Sequence, residues 1–435
     1  MSTPTTTPPT ATPTRPTPEP LAETSRADAL GRCVGDVHAF RTTRFGAAPH
    51  LWRGGGSFDD VLSLADADRA LTGAGLRHPA FRLVRDGEAL PPSLYTRRAR
   101  TGAARIDDLI DPGRALDHFA GGATVVLQGL QRWWAPAARF CRDLELALGH
   151  AIQANAYLTP GGAAGLAPHH DTHDVFVLQV AGTKHWAVRE PAIDTPLPRH
   201  VSDHDTAAAR PVVFEADLTP GDTLYLPRGY VHSAAAQHGV SLHLTLGVLA
   251  TTASDVLRTL VDLAGDEVTF RRSLAPGWAF DDGAAADAVK AVVGELVEWL
   301  GRVEAAEVAA RLRDGFVAGR APLLDGQLLE LVGLDGIDDD TVVVRRAGVI
   351  GTVTPAPPAG GPGAGDGGPH LRLMLGDRQL VMPAALEPAV RRLIDGAPHR
   401  VGDLADLLDA GSRAVLVRRL VREGAVRTAD PVGDG

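Results

Sequence analysis

One short stretch of the chain carries side chains of the kind that bind a transition metal. His169 and Asp171 form a His-x-Asp motif at the mouth of an apolar segment, and His232 follows about sixty residues after Asp171, behind a Leu-Pro-Arg-Gly turn. Two imidazoles and one carboxylate can bind one face of an iron(II) ion and leave the other face open for substrate and dioxygen. These residues therefore predict a site for oxidative chemistry.

The spacing of the motif supports a shared ion. Residues i and i+2 of a strand project to the same side, so His169 and Asp171 can bind one metal together. His173 shares their face and is an alternative ligand, whereas His170 points the other way and is expected in the pocket wall. Structural zinc prefers thiolates, and the two cysteines lie far from this motif, so iron is the better prediction.

The elements that must bring these residues together are strands. Six strands separated by Gly, Pro and Asp turns are predicted between about 152 and 250, at 153–159, 174–180, 183–189, 211–214, 222–226 and 240–249. Many short strands with such turns are typical of a sandwich or jelly-roll barrel. In a rolled sheet, segments that are distant along the chain become neighbours, as the proposed ligands require.

The whole chain is predicted to mix α and β structure in three folded parts. Residues 1–24 are rich in Thr and Pro and are expected to be disordered. Residues 25–250 hold the double-stranded β-helix (jelly-roll or cupin) catalytic domain, and 251–325 an all-α helical domain. Residues 326–435 combine strands with three short helices, which predicts a winged-helix domain with a Pro/Gly-rich loop at 354–369.

Composition limits the classes of partner and compartment. The chain has 435 residues and a net charge of −10, so no overall field favours nucleic acid. Only two cysteines occur, Cys33 and Cys141, which favours a reducing cytoplasm over a disulfide framework. No apolar run reaches membrane-spanning length, and the N-terminus has no signal-peptide core. Lysine is scarce, and one of the two, Lys184, follows the metal motif closely.

The segment from Asn155 to Thr245 resembles the JmjC-type 2-oxoglutarate oxygenases, and within them the ribosomal oxygenase (cupin-4) subgroup. The stretches that carry the resemblance are Asn155-Ala156-Tyr157-Leu158-Thr159-Pro160, Gly165-Leu166-Ala167-Pro168-His169-His170-Asp171, Val175-Phe176-Val177-Leu178-Gln179, Gly182-Thr183-Lys184-His185-Trp186, Gly221-Asp222, Leu226-Pro227-Arg228-Gly229 with His232, and Ser241-Leu242-His243-Leu244-Thr245.

The resemblance implies a role for six residues. The residues that match the ligands of Fe(II) are His169, Asp171 and His232. Lys184 matches the residue that pairs with the distal carboxylate of 2-oxoglutarate. Asn155 and Tyr157 match polar groups of the same pocket. A buried dicarboxylate needs a fixed cation because its desolvation is otherwise prohibitive.

Two positions depart from the family pattern. The residue between the first two ligands is usually aromatic and is His170 here. Gly247 stands where relatives often offer a hydroxyl to the cosubstrate. The departures put one hydrogen bond to the cosubstrate in question.

The resemblance further implies an Fe(II)- and 2-oxoglutarate-dependent hydroxylase of a protein side chain, Arg or His of a ribosomal protein or another basic protein. The alternatives are a small-molecule hydroxylase of the same chemistry and a non-catalytic metal-binding cupin scaffold. A homodimer through the helical domain is expected, and an apolar stripe between 289 and 300 is compatible with it. Direct nucleic-acid binding is not expected, because residues 371–435 hold ten arginines against nine acids.

Overall fold

The computed structural model describes residues 26–163, 166–237, 239–356 and 368–429. They form two compact units, one described over 26–325 and the other over 326–429. The tail predicted at 1–24 and most of the loop predicted at 354–369 lie outside the described residues.

The first unit begins with short helices and strands. They are α1 (Arg26–Val34), α2 (Val37–Thr43), β1 (His50–Arg53), α3 (Asp59–Leu62), α4 (Leu64–Gly73), β2 (Phe81–Arg85), β3 (Glu88–Ala89), β4 (Thr96–Thr101), β5 (Ala104–Ile110), α5 (Pro112–Ala120), β6 (Thr124–Leu127) and α6 (Ala135–Leu148). Of these, β1 forms one edge of the main sheet, and β6, β2 and β3 form the other end.

The strands that carry the candidate site follow, and three helices end the unit. The strand region comprises β7 (Ala151–Thr159), β8 (Asp174–Ala181), β9 (Lys184–Pro191), α7 (His204–Ala208), β10 (Val212–Leu218), β11 (Asp222–Leu226), β12 (Tyr230–Ala236) and β13 (Ser241–Leu249). The helices are α8 (Ala253–Gly265), α9 (Asp282–Leu300) and α10 (Ala305–Ala318).

Two sheets of the first unit enclose the site. The larger has eight strands in the order β1-β11-β8-β13-β7-β6-β2-β3, and the smaller has three in the order β10-β9-β12. Apolar side chains from both sheets pack in one cluster, which includes Val175 and Val177 of β8, Trp186 and Val188 of β9, and Leu218 of β10. The burial of these side chains stabilises the packing of the two sheets against each other.

The six predicted strands are present, with ends that differ by a few residues. One strand was missed. The sequence of β12, Tyr-Val-His-Ser-Ala-Ala-Ala, is rich in Ala and Ser, which have little strand preference of their own. Antiparallel pairing with β9 makes this segment a strand, and β12 carries His232.

The helical region is divided differently from its sequence pattern. The pattern predicts continuous helix from Ala284 to Ala318, but α9 ends at Leu300 and α10 begins at Ala305. Gly301 occupies the C-terminal cap of α9, and its low helix propensity favours a break in the helix there. None of the described helices combines the length and the apolar character that a bilayer crossing needs.

The second unit contains short helices and two three-stranded sheets. Its elements are α11 (Gln327–Val332), β14 (Val342–Arg345), β15 (Gly351–Ala356), β16 (His370–Leu375), β17 (Arg378–Pro383), α12 (Glu387–Leu393), β18 (His399–Arg400), α13 (Ala410–Arg422) and β19 (Val426–Thr428). The sheets have the strand orders β18-β14-β19 and β15-β16-β17, and both contribute to one apolar core with α12 and α13. The winged-helix assignment stays a prediction.

Candidate metal centre

A short backbone pairing joins the two segments that carry the predicted ligands. His169, just before β8, forms an isolated antiparallel bridge with His232 of β12. The amide of His232 donates to the carbonyl of His169 at 2.8 Å, and the amide of His169 donates to the carbonyl of His232 at 3.2 Å. Two histidines about sixty residues apart are thus held side by side by their own main chains.

The three predicted ligands converge. One potential ligand atom from each of His169, Asp171 and His232 lies within 4.8 Å of the others. The Nε2 atom of His232 and the Oδ2 atom of Asp171 are 3.7 Å apart, which is longer than a hydrogen bond and leaves space for an ion between them. His232 is the most deeply buried of the set, whereas the side chain of Asp171 is 30% exposed.

Both imidazoles are oriented for metal binding. The Nδ1 atom of His169 contacts the carbonyl oxygen of Ala167 at 2.8 Å, and that of His232 contacts the carbonyl oxygen of Tyr230 at 3.1 Å. A carbonyl partner makes Nδ1 the protonated nitrogen and leaves Nε2 for the ion. Burial, with the nearby His169, lowers the pKa of His232 to about 4, so its ring is neutral at pH 7, as a ligand must be. The donor set thus fits an open iron(II) site.

The turn before β12 is fixed by two contacts with the segment of the His-x-Asp motif. The amide of Gly229 donates to the carbonyl of Asp171 at 3.0 Å. Buried Asp174 accepts from the amide of Arg228 at 2.9 Å and from the hydroxyl of Tyr225 at 2.7 Å. Gly229 has φ +90°, and an added Cβ would lie 2.1 Å from a backbone oxygen, so only glycine fits here.

A cavity of about 270 Å³ connects the three ligands with Lys184, which begins β9. The ammonium group is buried, and its hydrogen-bond partner is the hydroxyl of Thr159 at 3.2 Å. Within the described residues no carboxylate pairs with Lys184. Burial lowers its pKa to about 7. A buried cation without a counter-charge makes this cavity suited to an anion.

Tyr157 lies in the same cavity wall, where its ring stacks on His243 with the ring centroids 5.0 Å apart. Burial raises the pKa of Tyr157, and a hydrogen bond from Arg82 acts in the opposite direction. Arg82 of β2 reaches this place because it pairs with Val126 of β6, which in turn pairs with Tyr157. Directly paired residues share one face of a sheet.

Sequence reasoning missed three residues of the cavity wall. Arg82 comes from a strand far from the motifs, and no local signal connects it with them. His243 had no predicted role in the site, but it lines the cavity, and its buried Nδ1 has no hydrogen-bond partner among the described residues. Thr245 is part of the motif that carries the resemblance and also lines the cavity, where it offers a hydroxyl two residues before Gly247.

The other predicted residues lie around the cavity. Asn155 shares the strand face of Tyr157, but its side-chain Oδ1 accepts from the backbone amide of Gly129 at 3.0 Å, and it is not among the lining residues. His173 is outside the converging triad, and its Nε2 is 3.1 Å from the amide nitrogen of Gln153. His170 is buried, with its Nε2 3.2 Å from the carbonyl oxygen of His200. His170 lines a neighbouring pocket together with His169 and Asp171, not the cavity that holds Lys184.

Comparison with known proteins places this site in a family. Residues 130–256 match the family model described as the JmjC domain. The chain carries a JmjC domain. This segment includes the candidate ligands, Lys184 and the strands from β7 to β13. The resemblance to JmjC-type ribosomal oxygenases is confirmed, and the two facing sheets are cupin-like.

Relatives of the JmjC segment have names that agree with this assignment. Ribosomal oxygenase 2 of Mus musculus is 29% identical over 210 residues, which are 46% of this chain and 45% of that protein. The bifunctional lysine-specific demethylase and histidyl-hydroxylase NO66 of Brugia malayi is 37% identical over 165 residues, 35% of this chain and 23% of that protein. The chain thus spans less than half the length of these curated relatives.

A solved structure shows a similar fold. YcfD, a ribosomal oxygenase from Escherichia coli in complex with cobalt and 2-oxoglutarate, matches 90% of this chain and 98% of its own with a TM-score of 0.51. The sequence identity is 16%, so this similarity concerns the fold alone.

Replacement of His169 by Ala should abolish tight metal binding. Loss of an outer partner of a metal ligand already costs about 10–100-fold in affinity, and loss of a ligand should cost more. Calorimetric titration of the purified protein with Mn(II) measures the change in metal affinity. His173→Ala is the matched control and should retain the affinity, because His173 is outside the triad. Equal losses in both variants would contradict the assignment of the ligands.

Proposed function

We propose that this chain is an Fe(II)- and 2-oxoglutarate-dependent oxygenase that hydroxylates a protein side chain, Arg or His of a ribosomal protein or another basic protein. The JmjC match and the His-Asp-His triad support Fe(II) and 2-oxoglutarate as the cofactor pair, and YcfD, which has a similar fold, was solved with cobalt and 2-oxoglutarate. The names of the relatives support a ribosomal substrate. The acidic net charge of the chain favours a basic partner.

One observation carries the proposal: buried Lys184, which pairs with no carboxylate of the described residues, shares a cavity with the triad. A metal-binding scaffold would need the three ligands alone, and a buried lysine without an anion costs stability. A dicarboxylate bound to the metal at one end and to Lys184 at the other removes this cost. A non-catalytic metal-binding cupin would have no role for Lys184 in the cavity.

The chain's residues would act as follows. His169, Asp171 and His232 would hold the ion, and Lys184 would bind the distal carboxylate of 2-oxoglutarate. Val175, Val177 and Trp186 line the cavity and exclude water from it. When bound, iron(II) and 2-oxoglutarate supply the activation of dioxygen, with formation of succinate and carbon dioxide. Thr245 and Tyr157 stand as hydrogen-bonding groups in the wall.

The charges near the site favour histidine over arginine as the hydroxylated residue. The charged residues that line the cavity are Arg82, Lys184 and the ligand Asp171. Asp174 is buried beneath the site and already accepts two hydrogen bonds. Lys184 would be paired with 2-oxoglutarate, so an incoming guanidinium would meet the cation Arg82 and no available carboxylate among the lining residues, whereas a neutral imidazole has no such penalty.

We propose that the homodimer forms through the apolar stripe on α9. Val289, Val293 and Val297 are 56%, 51% and 65% exposed. Their spacing of four residues puts them on one face, which a second copy of the chain would cover. The proposed location remains the cytoplasm.

Purified protein supplied with Fe(II) and 2-oxoglutarate should form succinate and add one oxygen atom to a lysine-rich peptide that contains a single histidine. The peptide with arginine in place of the histidine should react less. Mass spectrometry of peptides, and of ribosomal proteins from cells with and without the gene, measures the products. Succinate without any oxygen on ribosomal proteins would favour a small-molecule hydroxylase, and no succinate would favour the scaffold.

The affinity for 2-oxoglutarate should fall as the pH rises above 7. The pKa of Lys184 is about 7 in the empty cavity, so below pH 7 the ammonium is already charged. Above pH 7 the cosubstrate must bind together with a proton, which costs up to about tenfold in affinity for each pH unit. Calorimetry with the Mn(II)-loaded protein measures the affinity for 2-oxoglutarate at each pH. Lys184→Met should lose about 2–4 kcal/mol of binding free energy and the pH dependence. A wild-type affinity that is constant from pH 7 upward would refute the role of Lys184.

Charge substitutions on the stripe should convert the dimer to a monomer. Val293→Glu/Val297→Glu places two like charges on the exposed apolar face, so the mass measured by light scattering should halve. Ala284→Glu/Ala291→Glu on the opposite face of α9 is the control and should leave the mass unchanged. A wild-type protein that is monomeric at all concentrations would disprove the dimer.

A further inference from the structure

The second unit contains a sheet edge that no described residue covers. Strand β17 pairs with β16 on one side and ends the order β15-β16-β17. Among the described residues, no backbone group of 379–382 bonds to anything except β16. Every second residue of such a strand turns its N–H and C=O outward, and an edge of this kind can accept another strand.

Helix α13 lies beside this edge, and the two elements line a groove of about 890 Å³, which we name the β17–α13 groove. Its floor is apolar, since Leu380 and Met382 of β17 and Leu416 of α13 are buried in the core of the unit. Val381 and Val415 are 44% and 68% exposed at its rim. An added strand would place alternate side chains against this apolar floor.

The groove carries positive charge. Arg418, Arg419 and Arg422 line it, and the acid that lines it, Asp409, is occupied as the cap of α13. Arg418 donates to two backbone carbonyls and forms no ion pair with a carboxylate of the described residues. Arg419 pairs with Glu423 at 2.9 Å. The guanidinium of Arg422 forms no hydrogen bond or ion pair with the residues that the structure describes. An incoming chain would therefore need acidic side chains.

We propose that the β17–α13 groove docks an extended acidic segment of a partner protein, which adds to β17 as a strand. The open edge supplies main-chain hydrogen bonds, the floor takes apolar side chains, and the arginines bind the carboxylates. A second copy of the chain would bring the same arginines together, which repel. The near-neutral charge of residues 371–435 disfavours duplex nucleic acid.

This partner differs in charge from the basic substrate proposed for the metal site. The groove also lies entirely in the second unit, whereas the metal site lies in the first. The docking of an acidic segment therefore does not depend on the oxygenase function, and failure of one proposal leaves the other standing.

Fluorescence polarisation with the full chain tests the groove. The probe is a labelled peptide of alternating valine and glutamate, which should bind saturably. A peptide with lysine in place of glutamate should not bind, and methylation of alternate backbone amides should weaken binding about tenfold or more, because a strand needs those donors. The variant Arg419→Glu/Arg422→Glu should weaken binding of the valine–glutamate peptide by about tenfold or more.

The matched control is Arg313→Glu/Arg391→Glu, which makes the same change of charge at exposed sites outside the groove and should leave binding unchanged. No saturable binding of the valine–glutamate peptide would overturn the proposal. Equal binding of the methylated peptide, or an equal loss in the control variant, would also overturn it. Tighter binding of labelled duplex DNA, lost in Arg419→Glu/Arg422→Glu, would show a nucleic-acid surface instead.

Discussion

The candidate metal centre depends on the pair of backbone hydrogen bonds between His169 and His232. Contacts between the side chains alone would not fix the two imidazoles at a ring-centroid separation of 4.5 Å, because attraction between rings is weak and permits a range of separations. The bridge fixes this separation through the main chain. Additional bonds from Gly229 to Asp171 and from Arg228 to Asp174 extend the pairing, so the ligand geometry is set by the fold before any metal binds.

The second constraint is the burial of charge. Lys184 is placed where desolvation disfavours its charged form, and the surrounding wall contains neutral rings of Tyr157, Trp186 and His243. Such an arrangement lowers stability in the empty protein and gains it when an anion binds. The same physical effect accounts for the lowered pKa of Lys184 and His232, and it keeps His232 neutral for metal binding.

The binding surfaces of the two units also differ in how their positive charges are placed. The cavity of the first unit holds cations beside a single ligand carboxylate, and the groove of the second unit holds arginines above an apolar floor. In the first case the cations are buried and the ligand is a small anion enclosed by the protein. In the second they stand at the rim of an open strand edge, where solvent screens them and geometry must supply most of the selectivity.

The sequence by itself determined the chemistry of the site. His169 and Asp171 are two residues apart, a spacing that predicted a shared side, and the resemblance adds His232 and Lys184. Both residues of the motif precede β8, and the bridge to His232 rather than strand geometry fixes their segment. Six of the strands followed from alternating apolar residues and turn residues, both of which are local signals. Only the tertiary structure decided the rest. Strand β12 exists because β9 pairs with it, and Arg82 and His243 enter the cavity through pairing between distant strands. Such contacts depend on register between remote segments, which no local pattern encodes.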